Sequence, residues 1–207
     1  MSASYELRDD EHGIGRVLIP RGSWNAECSF RLNIGDVRAV RLSESAGFRD
    51  TDLGFLSQFQ SLRSVEIYSS AVKDIQPLNF LNMLEVLGLQ TNAKTTLGAE
   101  NFPSLRVALL RWSKGMEALL SAQSLRYLNV VNFPFEDLSS LCKLSGLQRL
   151  SLTSRKLKSL AGIGTLTELQ HLDLYACPNL RSLQPIAEHA KLTKVEVESC
   201  RHIPSQR

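Results

Sequence analysis

The chain has 207 residues, of which 43% are hydrophobic and 22% charged, the makeup of an ordinary globular protein of one large or two small domains. Its 24 basic and 21 acidic residues leave a net charge of +3, too balanced to make a nucleic acid the default partner. No apolar window of about 18 residues occurs, and MSASYELRDDEHGIG at the start has neither the apolar stretch nor the basic opening of a signal peptide, so a cytoplasmic protein with no membrane segment is expected, with Cys28, Cys142, Cys177 and Cys200 reduced.

Residues 1–36 read as an N-terminal cap. Ile14, Val17 and Ile19 trace a weak first strand. SWNAECSFRLNIG (23–35) predicts a helix: Ser23 is placed to cap its start, Trp24, Cys28 and Leu32 recur every four residues, and a glycine closes it. From 37 to 207 the chain reads as one continuous repeating domain. The pattern L-x-x-L-x-L returns at Val37-Val40-Leu42, Leu62-Val65-Ile67, Leu84-Leu87-Leu89, Leu105-Ala108-Leu110, Leu125-Leu128-Val130, Leu147-Leu150-Leu152, Leu169-Leu172-Leu174 and Leu192-Val195-Val197. A strand followed by apolar residues every three or four positions cannot bury its inner face alone, whereas stacked copies share one core. Between strands, IQPLNFLNM and AGIGTLTE are too short or interrupted for long helices and predict a mixture of 3-10 turns and short helices. After the strand near 193–198 comes SCRHIPSQR, a thin cover, so self-association of an otherwise monomeric protein would begin at that edge.

These residues resemble the leucine-rich repeat family, strongly over 37–200 and weakly over 14–36, with LQRLSLTSRKLKSLAGIGTLTE (147–168) the cleanest copy. The resemblance implies an α/β fold, a leucine-rich repeat solenoid with a curved parallel sheet on the concave side and short helices, 3-10 turns and loops on the convex side. It also implies a stand-alone, bacterial-type protein-binding module that holds a folded protein partner on the concave sheet, as an inhibitor or immunity factor does. The family's ninth-place asparagine survives only as Asn92. Ser45, Ser70, Ser113, Phe133, Arg155, Cys177 and Cys200 stand at that place in other copies, so the usual asparagine ladder must be incomplete.

One stretch breaks the rhythm. In SLRVALLRW (104–112), Ala108 takes a leucine place and Leu109 a variable one. If the neighbouring copies set the phase, Ala108 points inward and Val107, Leu109 and Arg111 outward; a bulge would reverse this. With the phase kept, Val86, Val107, Leu109, Trp112, Tyr127 and Val131 form an apolar patch, with Arg111, Arg126 and Arg149 around it and Tyr68 and Tyr175 further out. An apolar centre with a charged surround marks a protein contact site. The alternative, nucleic-acid binding, would use the recurring Arg38, Arg63, Arg106 and Arg126; the interspersed Glu44, Glu66, Asp173, Glu196 and Glu198 argue against it.

Chemistry is sparse. His171, Asp173 and Tyr175 alternate along one strand and share a face, but no nucleophile or oxyanion pocket can be placed beside them. Cys177 and Cys200 hold the same place in consecutive copies with His202 nearby, which suits two packed thiols better than a zinc site lacking a fourth ligand. No phosphate-loop motif occurs. A non-enzymatic protein without cofactor or metal is expected.

Overall fold

Two antiparallel strands, rather than a first repeat, begin the fold. In the computed structural model, which describes residues 3–187 and 189–203, β1 (Tyr5–Asp9) pairs antiparallel with β2 (Arg16–Pro20). Asp10 pins the turn between them by accepting hydrogen bonds on Oδ2 from the backbone N–H groups of His12 (2.8 Å) and Ile14 (3.0 Å). β2 then runs parallel to β3 (Ala39–Ser43) with Val17 opposite Ala39 and Leu18 opposite Val40. Reading Ile14, Val17 and Ile19 as a copy of Val37, Val40 and Leu42 sets Val17 against Val40, one residue from the observed pairing. Because Val17, Leu18 and Ile19 are all buried, this strand lacks the alternation that would have set its phase.

The helix α1 spans Ala26–Asn33, inside the expected segment, and buries Cys28 and Leu32. Its cap is Asn25 and not Ser23: the Asn25 side-chain oxygen Oδ1 accepts from the N–H groups of Glu27 (3.0 Å) and Cys28 (3.1 Å). Trp24 thus lies outside the helix. It stacks on Phe55 at 4.3 Å between ring centroids, and its indole N–H donates to the Ser29 hydroxyl.

The chain groups into two compact units, residues 1–107 with 113–118 and residues 108–112 with 119–207. In unit 1, β3, β4 (Ser64–Ser69) and β5 (Val86–Thr91) pair in parallel and in register, Val40 beside Val65 beside Leu87. β6 (Val107–Arg111) supplies its last four residues to unit 2. There β7 (Tyr127–Val131), β8 (Arg149–Thr153), β9 (His171–Tyr175) and β10 (Lys194–Glu198) repeat the arrangement, Leu128 beside Leu150 beside Leu172 beside Val195. Short 3-10 turns such as Gly54–Gln58, Gln76–Phe80 and Ile163–Thr165 join the strands.

The inward leucine places are buried in every repeat from Val37 to Leu174, and the exception is the last one, where Leu192 and Val195 are only half covered. The tail from 204 lies outside the described residues. Ala108 is fully buried and Leu110 nearly so, while Leu109 is half exposed, which places Leu109 on the outward side of β6 without a bulge. The shortest repeat and the smallest core residue coincide.

Hydroxyl groups do much of the work expected of asparagine in the turns after the strands. Ser69, Thr91 and Ser154, all at the eighth place, are buried, and Ser154 Oγ accepts from the N–H groups of Lys156 (3.0 Å) and Leu157 (2.9 Å) while donating to the Phe133 carbonyl (2.7 Å). Asn92 is exposed and reaches across to the Ser70 carbonyl at 3.1 Å. In unit 2, Asn132, Ala176 and Ser199 take positive φ at the eighth place and turn Phe133, Cys177 and Cys200 into the core. Burial, with Cys200 close by, pushes the Cys177 thiol up to about 12. Of the four free cysteines only Cys142 is exposed. Alkylation of the native protein with N-ethylmaleimide, followed by peptide mass spectrometry, should modify Cys142 first; equally rapid labelling of Cys177 or Cys200 would contradict their burial.

Candidate protein-binding face

A parallel sheet with one face on a core should alternate buried and exposed residues, and the two units differ in how far they do so. In unit 1, β4 is buried at five of its six residues and β5 likewise, so their outward faces are covered too. The cover comes from the β1–β2 turn. The Arg106 guanidinium donates to the His12 carbonyl at 2.9 Å, and Glu11 lies 3.6 Å from Arg41, so the turn reaches across the outward side of the strands. Val86 is wholly buried and Val107 is 6% exposed, which removes both from any solvent-facing patch.

Beneath this cover lies a charged cluster. The Glu66 carboxylate, 1% exposed, accepts from Arg41 Nε (3.2 Å) and Nη2 (2.9 Å) and from the Tyr68 hydroxyl. Burial first, and then the Glu66 charge, pushes the Tyr68 phenol up, so it stays neutral. Gly88 occupies the next outward place because a Cβ there would sit 2.9 Å from Glu66 Cγ and 3.0 Å from Tyr68 Oη. Tyr68 is thus a half-buried structural partner of Glu66. At the strand starts, Glu85 is held between Arg63 and Arg106; burial opposes its charge, but the two guanidiniums outweigh that and keep its carboxyl below the usual range. These arginines are committed to internal carboxylates, as are Arg41 and, in unit 2, Arg149.

Unit 2 keeps the alternation. Inward residues of β7, β8 and β9 are buried and outward ones are half or fully exposed. Register aligns the outward residues into rows: Tyr127, Arg149, His171 and Lys194; Asn129, Ser151, Asp173 and Glu196; Val131, Thr153, Tyr175 and Glu198. Asp173 Oδ2 accepts from Arg149 Nη2 (2.8 Å) and Nε (3.1 Å) and from the Ser151 hydroxyl (2.7 Å). Burial works against the Asp173 charge, but Ser151 and Arg149 prevail and hold its carboxyl below the usual range. The Asp173 contact in turn raises Arg149, whose Cζ lies 4.9 Å from the Tyr127 ring centroid in a cation–π contact. Tyr127, Arg149, Ser151 and Asp173 are thus fixed as one rigid polar group on the strands.

Of the residues expected to bind a partner, unit 2 keeps Leu109, Tyr127 and Val131 half exposed and Arg111, Arg126, Arg149 and Tyr175 exposed, with Tyr175 at 52%. Trp112 is half buried, edge-on to Phe135 at 5.5 Å, and its backbone N–H donates to the Val131 carbonyl at 2.8 Å. It therefore shares its surface between packing and solvent. Arg126 Nη1 donates to the carbonyls of Gln123 (3.1 Å) and Leu125 (2.9 Å), a turn-closing role. His171, Asp173 and Tyr175 share the outward face, with Asp173 engaged by Arg149 and Ser151. Among the described residues no group of three His, Cys, Asp or Glu side chains is placed to hold a metal ion, and no helix is long and apolar enough to cross a membrane. Sequence reasoning missed the hairpin and the pairing of Arg41 with Glu66; the isolated Gly88 in a strand was the one signal of a close approach there.

Parallel strands in register, 3-10 connections and a leucine core define the leucine-rich repeat fold in this chain, and solved structures agree. An internalin (inlF) from Listeria monocytogenes is similar with a TM-score of 0.58 and 22% identity over 72% of this chain, which spans 45% of that protein's chain. The leucine-rich repeat protein LIC12759 of Leptospira interrogans gives a TM-score of 0.54 and 16% identity, covering 84% of this chain and 47% of that one. The plant peptide hormone receptor RGFR1, solved in complex with RGF2, gives a TM-score of 0.54 and 13% identity, covering 94% and 33%. No protein-family model and no curated protein matches the chain.

Proposed function

We propose that the chain is a protein-binding module that holds a folded protein partner on the outward sheet face of unit 2, through Leu109, Tyr127, Val131, Arg149 and Tyr175, with Arg111 and Trp112 at the C-terminal end of strand β6. The carrying observation is that this face alternates cleanly and stays open, whereas the equivalent face of unit 1 is covered by the chain itself. Side chains on strands lose little freedom on association, and a Tyr–Arg–Asp group already fixed in place adds to that preorganisation. RGFR1, a protein of the same fold, was solved in complex with RGF2, and binding of protein surfaces is a use to which this fold is suited. Acting as an inhibitor or immunity factor, the module would work by occupying its partner's surface, in the cytoplasm.

The nucleic-acid reading is less well supported, because within its arginine series Arg63 and Arg106 already face Glu85 and Arg126 donates to the carbonyls of Gln123 and Leu125. The test is affinity capture from native lysate with wild-type protein beside Leu109→Ser/Tyr175→Ser, a pair of outward substitutions, half exposed and exposed, that leave the Trp112–Phe135 packing alone. Capture of the same protein should fall at least about tenfold, equivalent to about 1.4 kcal/mol. Equal recovery by the double variant, with an unchanged melting transition, would dismiss this face.

A further inference from the structure

We propose that unit 1 carries a binding site for a phosphate monoester, in the cavity between the N-terminal hairpin and the outward side of β3 and β4. The cavity has a volume of about 480 Å³ and is lined by Arg8 from β1, Arg21 just after β2, Arg41 from β3, and Glu6, Ser43 and Ser45 among others. Three guanidiniums from separate segments converge on a space in which Glu6 is the single lining carboxylate. Glu6 is shared: it accepts from Arg8 Nε at 2.5 Å on one oxygen and from Arg21 Nη2 at 3.3 Å on the other. Arg41 lines the cavity and is anchored by buried Glu66 through Nε and Nη2, with exposed Glu11 3.6 Å from Nη2, and no hydrogen bond engages its Nη1 among the described residues. Arg8 and Arg41 lie close enough to repel one another, and an anion seated between them removes that repulsion.

The donor set selects the ligand. A carboxylate is planar and is satisfied by one guanidinium fork, as Glu66 is by Arg41. A phosphate monoester carries close to two negative charges and three strong acceptor oxygens that point in different directions, which matches three guanidiniums approaching from separate segments. The Ser43 and Ser45 hydroxyl oxygens lie 2.8 Å apart, so one donates to the other and the second proton is available to a ligand oxygen. Arg8 and Arg21 are 61% and 54% exposed at their side chains, so ligand has direct access to them.

This site is separate from the unit 2 face and stands or falls independently of it. The probes are inorganic phosphate, O-phosphoserine and acetate, titrated into the full chain by isothermal calorimetry at low ionic strength. Inorganic phosphate and O-phosphoserine should bind with millimolar or tighter dissociation constants, and acetate at least tenfold more weakly. Arg8→Gln/Arg21→Gln, at two exposed positions, should weaken both phosphate probes at least tenfold while its melting transition stays that of wild type. Leu109→Ser/Tyr175→Ser should bind phosphate as wild type does. Tighter binding of O-phosphoserine than of inorganic phosphate assigns the source to an esterified ligand, and equal binding assigns it to the free anion. Wild-type protein that binds neither phosphate probe, binds acetate equally well, or keeps its affinity in the double arginine variant overturns the site.

Discussion

Replacing Gly162 with alanine is expected to destabilise unit 2 by about 2–5 kcal/mol, combining the strain of a left-handed backbone with that of forced overpacking. Gly162 has φ of +91°, a conformation that L side chains rarely adopt. A Cβ there would meet backbone, not movable side chain: Ser139 N at 2.8 Å, the Leu138 carbonyl carbon at 2.9 Å and Ser139 Cα at 3.0 Å. The contact lies beside the hydrogen bond from Leu138 N–H to the Ala161 carbonyl (2.9 Å), which ties one repeat's connection to the next. Gly164, two residues on, is the control. A Cβ at Gly164 would meet no atom within 4 Å, and its φ is not positive, so Gly164→Ala should change stability by less than about 0.5 kcal/mol. Urea unfolding of the two variants side by side reads the difference; equal midpoints would show that the turn has room to relax.

The second large effect is expected at Glu66. Glu66→Ala should cost about 3–5 kcal/mol, because it strands the Arg41 guanidinium in a mostly buried site. It also takes the acceptor from the Tyr68 hydroxyl. Glu11, 3.6 Å from Arg41 and itself well exposed, offers only a screened replacement. Glu66→Gln keeps an acceptor for Tyr68 and the volume beside Gly88, and should lose about 1–3 kcal/mol, the worth of a charged hydrogen bond. The order of the urea midpoints, wild type above Gln above Ala, is the outcome to measure. A loss from Glu66→Ala below about 1 kcal/mol, the scale of a surface pair, would mean that the hairpin turn does not seal this cluster from water.

The repeat was legible because it is a local signal. Leu128, Leu150 and Leu172 face inward at the places their spacing predicts, since alternate strand residues must take opposite faces and only one face has a core. The same logic put Ala108 inward and Leu109 outward despite the broken consensus. Where every residue is apolar the logic fails: Val17, Leu18 and Ile19 are all buried, and nothing in their order marks which faces β3's partner. Capping shifted for a similarly local reason, since Ser23 and Asn25 are both competent caps and the bond from Trp24 N–H to Asp50 Oδ2 (2.7 Å) holds residue 24 outside the helix.

The sequence by itself determined the kind of fold, the inward residues of its repeats and the outward places of unit 2, because these follow from periodicity within a few residues. Only the tertiary structure decided which outward places remain open. Val86 and Val107 have the same apolar character as Val131, yet they are buried and Val131 is half exposed, because the turn between β1 and β2, distant in sequence, folds across their side of the strands. It likewise brought Arg8, Arg21 and Arg41 to one cavity, since no spacing rule relates residues on an antiparallel hairpin to a neighbouring parallel strand.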